Sequence, residues 1–284
     1  MANSPIDGRR FPLALPKPGC EKCEYRGYFV GDDKEIITCE CMLRKRLIAV
    51  YEGIGIPRAL FDAKIEDFQI KNTGHGSNAK DLPVADSKLK EKAKAAVQSY
   101  MDQMGDVFQS DVDFSLGTPE EPLSGRTIAL CGKHGSGKSL LAVCIAKQAI
   151  KLGIAPKIIQ WADVIEACYD FDYGDDDNAF NAMSAILARA KPIIIENFSM
   201  NYETRKFPTD AKDTGGLNPV TRRRIDSLFS FVYQKGLPLV LTTSHTASEL
   251  NATDAYGPLM SSLLSDALKI RLPSLKIESD YNVL

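Results

Sequence analysis

Two short stretches of this 284-residue chain carry side chains at spacings that specific chemistry demands. Gly132-Lys133-His134-Gly135-Ser136-Gly137-Lys138-Ser139 fits G-x-x-x-x-G-K-[ST] at every fixed position. In such a loop the glycines let the backbone curl so that several N–H groups point at phosphate oxygens. A following helix adds the positive end of its dipole. The Lys138 ammonium can reach the β and γ phosphates, and the Ser139 hydroxyl can ligate Mg2+. The pattern implies a bound nucleoside triphosphate, taken here as ATP with Mg2+.

Such a loop needs a second carboxylate at the end of a neighbouring apolar strand to hold the metal through water. Ile193-Ile194-Ile195-Glu196-Asn197-Phe198 is the stretch that offers one. Hydrolytic P-loop proteins with an extra strand usually carry Asp-Glu here, the first for the metal and the second to polarise the attacking water. This chain has Glu196 in the first place and Asn197 in the second. Glu196 either serves the metal or simply closes a core strand. Asn197 cannot take a proton at neutral pH, although it can orient a water. The expectation is strong nucleotide binding with slow hydrolysis.

The second stretch is Cys20-x-x-Cys23, then fifteen residues, then Cys39-x-Cys41. Two close pairs across a hairpin-sized insert are how small modules surround Zn2+ tetrahedrally. Gly27 and Gly31-Asp32-Asp33 would make the turns. Four thiolates leave no open coordination position, so the metal would be structural. A disulfide pair or a redox site are the alternatives, and a thioredoxin-like context for the latter is missing. The remaining cysteines, Cys131, Cys144 and Cys168, sit in apolar surroundings and read as packing. His75 stands alone in a polar loop and is not taken as a ligand.

The elements that must position these groups follow from periodicity. A helix spans the region of Met42 to Tyr51, broken by Gly53, Gly55 and Pro57. Ser87 to Met104 carries apolar residues at Leu89, Ala93, Ala96, Val97 and Tyr100, a helical stripe. From Arg126 onward strand and helix alternate. The strands are 126–131, 157–161, 192–196 and 237–243, and the helices 139–152, 162–169, 179–190 and 220–234; smaller elements follow. Fully apolar strands alternating with helices mean a parallel sheet covered on both faces. The domain reading is a tail over 1–18, a zinc-binding N-terminal domain with its following helix over 19–70, a linker over 71–86, and a nucleotide-binding domain over 87–284.

The formal net charge of −2 does not imply a whole-molecule electrostatic hold on nucleic acid, so any such contact needs local basic patches. No apolar run is long enough for a bilayer, and the polar, proline-bearing opening does not read as a signal peptide. The expectation is a cytoplasmic protein with no membrane partner.

The combination of these pieces resembles the bacterial and phage replicative helicase loaders of the DnaC/DnaI type, within the AAA+ ATPases. The resemblance rests on Cys20, Cys23, Gly27-Tyr28, Cys39 and Cys41, the basic Arg44-Lys45-Arg46, Gly55-Ile56-Pro57, Asp67-Phe68, the P-loop, and the strand closing Gly236 to Ser244. It implies an α/β P-loop AAA+ sheet (the class with an extra strand) preceded by a small zinc-binding domain. That domain would contact a replicative DNA helicase, and the whole would bind single-stranded DNA in an ATP-linked way and self-associate. It also implies a polar sensor at the end of the last long strand, where Thr243-Ser244 stands and Ser244 is the candidate. The arginine that reaches a neighbouring subunit's nucleotide in this family has no counterpart in Leu259 to Ser265; Arg271 is the nearest. Two other readings share the sequence features. One is a transposition-type AAA+ regulator binding duplex DNA and a transposase. The other is a nucleotide-gated adaptor that occupies the helicase.

Basic residues could form a DNA path. Arg205, Lys206 and Lys212 lie in the long segment after Phe198, with Tyr202 and Phe207 available for stacking, and Arg222-Arg223-Arg224 opens a helix. Solvated surface is the plainer reading of the loop, and of the acidic run Asp170 to Asp177.

Overall fold

The computed structural model describes residues 20–24, 26–68, 84–109, 127–169, 178–199, 219–251 and 258–273. His75, Arg205, Lys206, Lys212, Tyr202, Phe207 and the acidic run lie outside them. The chain divides into two compact units, one ending at Ala63 and one beginning at Lys64.

The first unit is a hairpin and a helix. Strands β1 (Tyr28–Val30) and β2 (Ile36–Thr38) pair antiparallel, with Val30 opposite Ile36. The turn between them is closed by the Gly31 N–H donating to the Glu35 carbonyl, with Lys34 left-handed at φ 60°. Helix α1 (Glu40–Ile54) starts at Cys39 and ends at Gly55, whose φ of 97° lets its N–H reach back to the last turn. Tyr51, Ile56 and Phe61 are buried, and the Tyr51 and Phe61 rings meet edge-on at 5.5 Å.

The second unit opens with a 3-10 turn, Ile65–Asp67, and helix α2 (Val84–Gln109). There follow β3 (Thr127–Cys131), α3 (Lys138–Lys151), β4 (Lys157–Gln160), α4 (Trp161–Tyr169) and α5 (Asn178–Arg189). Then come β5 (Ile193–Phe198), α6 (Pro219–Gln234), β6 (Leu239–Thr243), α7 (Ala247–Asn251), α8 (Pro258–Asp266) and β7 (Leu268–Arg271). The sheet runs β4-β5-β6-β3-β7, and every neighbouring pair is parallel. All five residues of β3 and of β6 are buried, as strands covered on both faces must be. Ala129, Cys131, Ile193, Ile195, Leu239 and Leu241 belong to one cluster with Trp161, Phe229 and Leu263, so α4, α6 and α8 cover that face. The alternate residues Ile128, Leu130, Ile194 and Val240 are equally buried, and α3 packs against β5 and β6.

Strand β6 lies between β3 and β5, which separates the P-loop strand from the Glu196 strand by one strand. Three details differ from the sequence reading. The strand bearing Glu196 does not end there; it runs on to Phe198 through a bulge between Ile195 and Phe198. Trp161 opens α4 rather than closing β4, because its ring is buried against Phe198 at 4.8 Å and Phe229 at 6.0 Å. The stripe of α2 is turned by one position. Lys90, Ala93, Val97, Met101 and Met104 are buried, while Leu89, Ala96 and Tyr100 are half-buried. The Lys90 ammonium stands 5.8 Å from the centre of the Phe68 ring, which explains how a lysine can occupy that stripe.

Candidate nucleotide site and metal centre

The loop Gly132–Ser139 joins β3 to α3 at the carboxyl edge of the sheet, where ligands of open α/β sheets bind. Its shape needs its glycines. Gly135 and Gly137 have φ of 78° and 92°, conformations that side chains resist. A Cβ on Gly132 would stand 2.8 Å from Ser136 Oγ and 3.0 Å from Leu272 Cβ. A Cβ on Gly137 would stand 2.6 Å from the Phe68 ring. Phe68 itself is 4% exposed, so the aromatic half of the Asp67-Phe68 motif lies directly against the loop.

Lys138 donates to the carbonyls of Gly132 at 2.7 Å and Lys133 at 2.8 Å. Burial pulls its pKa down from the ordinary lysine value, and the nearby Cys131 and Glu196 oppose the shift. Ser139 follows in the first turn of α3, half-buried; Lys133 and His134 are exposed at the loop's outer bend. The loop is tied to its neighbour strand by the Gly132 N–H donating to the Thr243 carbonyl at 3.0 Å. The Thr243 hydroxyl in turn donates to the Phe198 carbonyl at 2.8 Å. Thr243 thus spends its hydroxyl on joining the P-loop strand's neighbour to β5, while Ser244, one residue on, is exposed.

Glu196 is 3% exposed. Its Oε2 accepts from Gln160 Nε2 at 3.1 Å, and its Oε1 is buried with no hydrogen-bond partner among the described residues. A buried carboxylate oxygen without a donor is expensive unless a cation or its water serves it, so Glu196 fits the role of partner to a hydrated cation such as Mg2+. Asn197 is the bulge residue, with φ of 59°. Its N–H donates to Thr242 Oγ1 at 3.0 Å and its Nδ2 to Gln160 Oε1 at 2.9 Å. Gln160 and Thr242 escaped the sequence reading as site residues, and Phe68 entered it only as part of the Asp67-Phe68 motif. The available hint for Gln160 was a polar residue closing an apolar strand.

The four N-terminal thiols converge. All the sulfurs of Cys20, Cys23, Cys39 and Cys41 lie within 4.8 Å of one another. The Cys20–Cys39 and Cys23–Cys41 pairs are at 3.6 and 3.4 Å. Tetrahedral Zn2+ with Zn–S bonds of about 2.3 Å places sulfurs about 3.8 Å apart, so the donor set fits zinc. Local structure explains the convergence. A turn brings the Glu24 N–H to the Cys20 carbonyl at 2.9 Å, and the Cys39 N–H donates to the Gly27 carbonyl at 2.8 Å. Cys41 then sits in the first turn of α1. Hydrogen bonding among the thiols moves Cys41 and Cys23 in opposite directions. Cys41 is pushed up to about 12 by its hydrogen bond with Cys23 and by burial. At Cys23, burial works upward but is outweighed by the Gly27 backbone and the neighbouring thiols, which bring it to about 7. A cation among them is what would let all four ionise together.

Cys131, Cys144 and Cys168 are buried in the second unit, and burial pushes their pKa values up to about 11, 11 and 12. They are packing residues. Of the basic patches, Arg44 is half-buried with Nε and Nη2 lacking a hydrogen-bond partner among the described residues, whereas Lys45 and Arg46 are exposed. Arg223 is exposed, and Arg224 stacks over Phe180 at 5.2 Å. Arg271 is exposed and pairs in register with Cys131, the residue before the loop.

Comparison with protein-family models and with curated proteins finds no match to this sequence. Solved structures do show likeness. The DnaC helicase loader is similar at 14% identity and a TM-score of 0.47, over 76% of this chain and 100% of that one. DnaI is similar at 12% and 0.45, over 78% of this chain and 96% of that one. A replication initiator DnaA bound to AMPPCP and single-stranded DNA is similar at 12% and 0.46, with 78% of this chain matching 52% of that one. Among the described residues the fold is a five-stranded parallel sheet covered by helices, with the Gly132–Ser139 loop after β3, and a small unit with a four-cysteine cluster comes before it in the chain. No activity or partner follows from likeness at these levels. Among the described residues, no helix is long and apolar enough to cross a membrane.

Proposed function

We propose that this chain is a helicase-loader-like AAA+ protein of DNA replication. It binds Mg-ATP at Gly132–Ser139, docks a replicative helicase through the zinc-bearing unit, and holds single-stranded DNA in a nucleotide-dependent way. The observation that carries the nucleotide part is the P-loop lysine on the same sheet edge as a buried carboxylate whose Oε1 has no hydrogen-bond partner among the described residues. Bound Mg-ATP supplies the negative charge and the metal around which the loop orders. The chain's own residues divide the work. Backbone N–H groups and Lys138 bind phosphate, Ser139 and Glu196 hold the metal, and Asn197 provides no base, so turnover is slow and ATP acts chiefly as a conformational ligand. Docking is supported by the hairpin, where Val30 and Ile36 face each other in register at 63% and 74% exposure. Apolar side chains left open side by side mark interaction surfaces.

The test is light scattering after size-exclusion chromatography of the full chain mixed with the helicase of its own replication system, with and without Mg-ATP, alongside single-stranded DNA binding. A defined complex, with DNA affinity that changes with ATP, is expected. A complex that blocks helicase loading would move the protein to the adaptor reading. No complex at micromolar concentration, together with preference for duplex DNA, would move it to the transposition reading.

A further inference from the structure

Glu196, Gln160 and Asn197 form one hydrogen-bonded chain across the ends of β4 and β5, where Gln160 and Glu196 are register partners. Its polarity is set from one end. A carboxylate only accepts, so Gln160 must turn Nε2 to Glu196 Oε2, at 3.1 Å. That directs Gln160 Oε1, an acceptor, toward Asn197, and Asn197 must answer with Nδ2, at 2.9 Å. Asn197 Oδ1 is then the end turned away from Gln160, on a residue that is exposed. The backbone leaves little freedom for another arrangement. Asn197 is left-handed at φ 59°, and its N–H is held by Thr242 Oγ1 at 3.0 Å. At the other end, Glu196 Oε1 is buried and has no hydrogen-bond partner among the described residues. One amide from a neighbouring strand thus occupies one carboxylate oxygen, leaves the other for a cation, and fixes which atom of Asn197 faces out.

We propose that Gln160 is a positioning residue of the nucleotide site. It holds Glu196 so that Oε1 alone serves hydrated Mg2+, and it holds Asn197 with its carbonyl oxygen outward, so that position 197 can accept from a water but cannot take its proton. The proposal rests on the Mg-nucleotide reading above. It carries a further consequence for position 197. Asn197→Asp does not simply restore an acidic pair. Two carboxylates would flank one amide that has a single donor end in this arrangement, and one of them would lose its partner.

The experiment is equilibrium binding of a fluorescent ATP analogue to the full chain, in EDTA and across a Mg2+ titration. It compares the natural sequence with Gln160→Met, close in shape but without the amide, and with Gln160→Glu, which turns an acceptor toward Glu196. Thermal unfolding without ligand shows that each variant is folded. Partners one step behind a metal ligand change metal affinity by about 10–100-fold. Both variants are expected to lose Mg2+-linked affinity on that scale, with Mg2+-free nucleotide affinity kept within about twofold. A residue that merely packs would move both affinities together or neither. Either variant, folded and retaining the full Mg2+-linked gain, overturns the role of Gln160. If the natural sequence itself gains nothing from Mg2+, the Mg-nucleotide reading fails and takes this proposal with it.

Discussion

The two units are held together in different ways. In the first, each strand has only three residues, and β2 is exposed along its whole length. Tyr28, Val30 and Ile36 stand open, and buried apolar residues are few among those described. What its described residues do bring together is four sulfurs, drawn to one point. In the second, β3 and β6 are buried at every position, and Trp161, Phe198 and Phe229 fill a continuous core. Small units rarely bury enough apolar surface to offset their conformational entropy and rely on metals or other cross-links; large sheets do not. One chain therefore has two separate ways to fail.

Removing the metal should separate them most sharply. Structural zinc sites contribute on the order of 10 kcal/mol of binding free energy that is also folding free energy. A strong chelator, or Cys39→Ser, is expected to unfold the first unit and leave the unfolding transition of the second in place. Circular dichroism with a colorimetric zinc assay reads both. Hairpin and α1 signals that survive complete loss of metal would break the contrast. The converse change comes next. Phe229→Ala empties a fully buried ring position and should cost about 3–5 kcal/mol. Denaturant unfolding followed by Trp161 fluorescence would show it, with zinc content unchanged. Loss of zinc from this variant would mean the units are not energetically separate.

The smallest effect concerns pH. Burial pulls the His245 pKa below its ordinary 6.5, opposed by Glu249. The folded state therefore prefers the neutral ring. The sign follows: this contribution is complete above the unfolded pKa and is lost as pH falls below 6.5 through the depressed value. His245→Asn should flatten that decline by a fraction of a kcal/mol, as expected for a ring that remains partly exposed. Matched unfolding curves above and below that window check it. A change in the first unit over the same window would blur the comparison.

What could be read from the sequence is mostly what is contiguous. The loop Gly132–Ser139 and the cysteine pairs are local spacings, and the alternation of apolar strands with helices is a local period. Strand order and the pairing of distant residues are not. Gln160 meets Glu196 only because β4 and β5 lie side by side in register. The bulge at Asn197 depends on the Thr242 hydroxyl of yet another strand. β7 was hidden because Leu268–Arg271 is short and half exposed, with neither a long apolar run nor clean alternation. Lys90 in the buried stripe of α2 could not be foreseen without the Phe68 ring that receives it.

The turn Ile65–Asp67 and the Phe68 that follows also decide where the chain can be divided for study. A fragment begun at Ser87, where the helical pattern suggests a natural start, would leave out the ring that flanks Gly137 and shelters Lys90. It would carry the entire P-loop motif and still present a gap beside it, with a buried lysine stripped of its cover. A fragment begun at Lys64 keeps the flank, so a feeble nucleotide response from the shorter piece would report on the cut rather than on the protein.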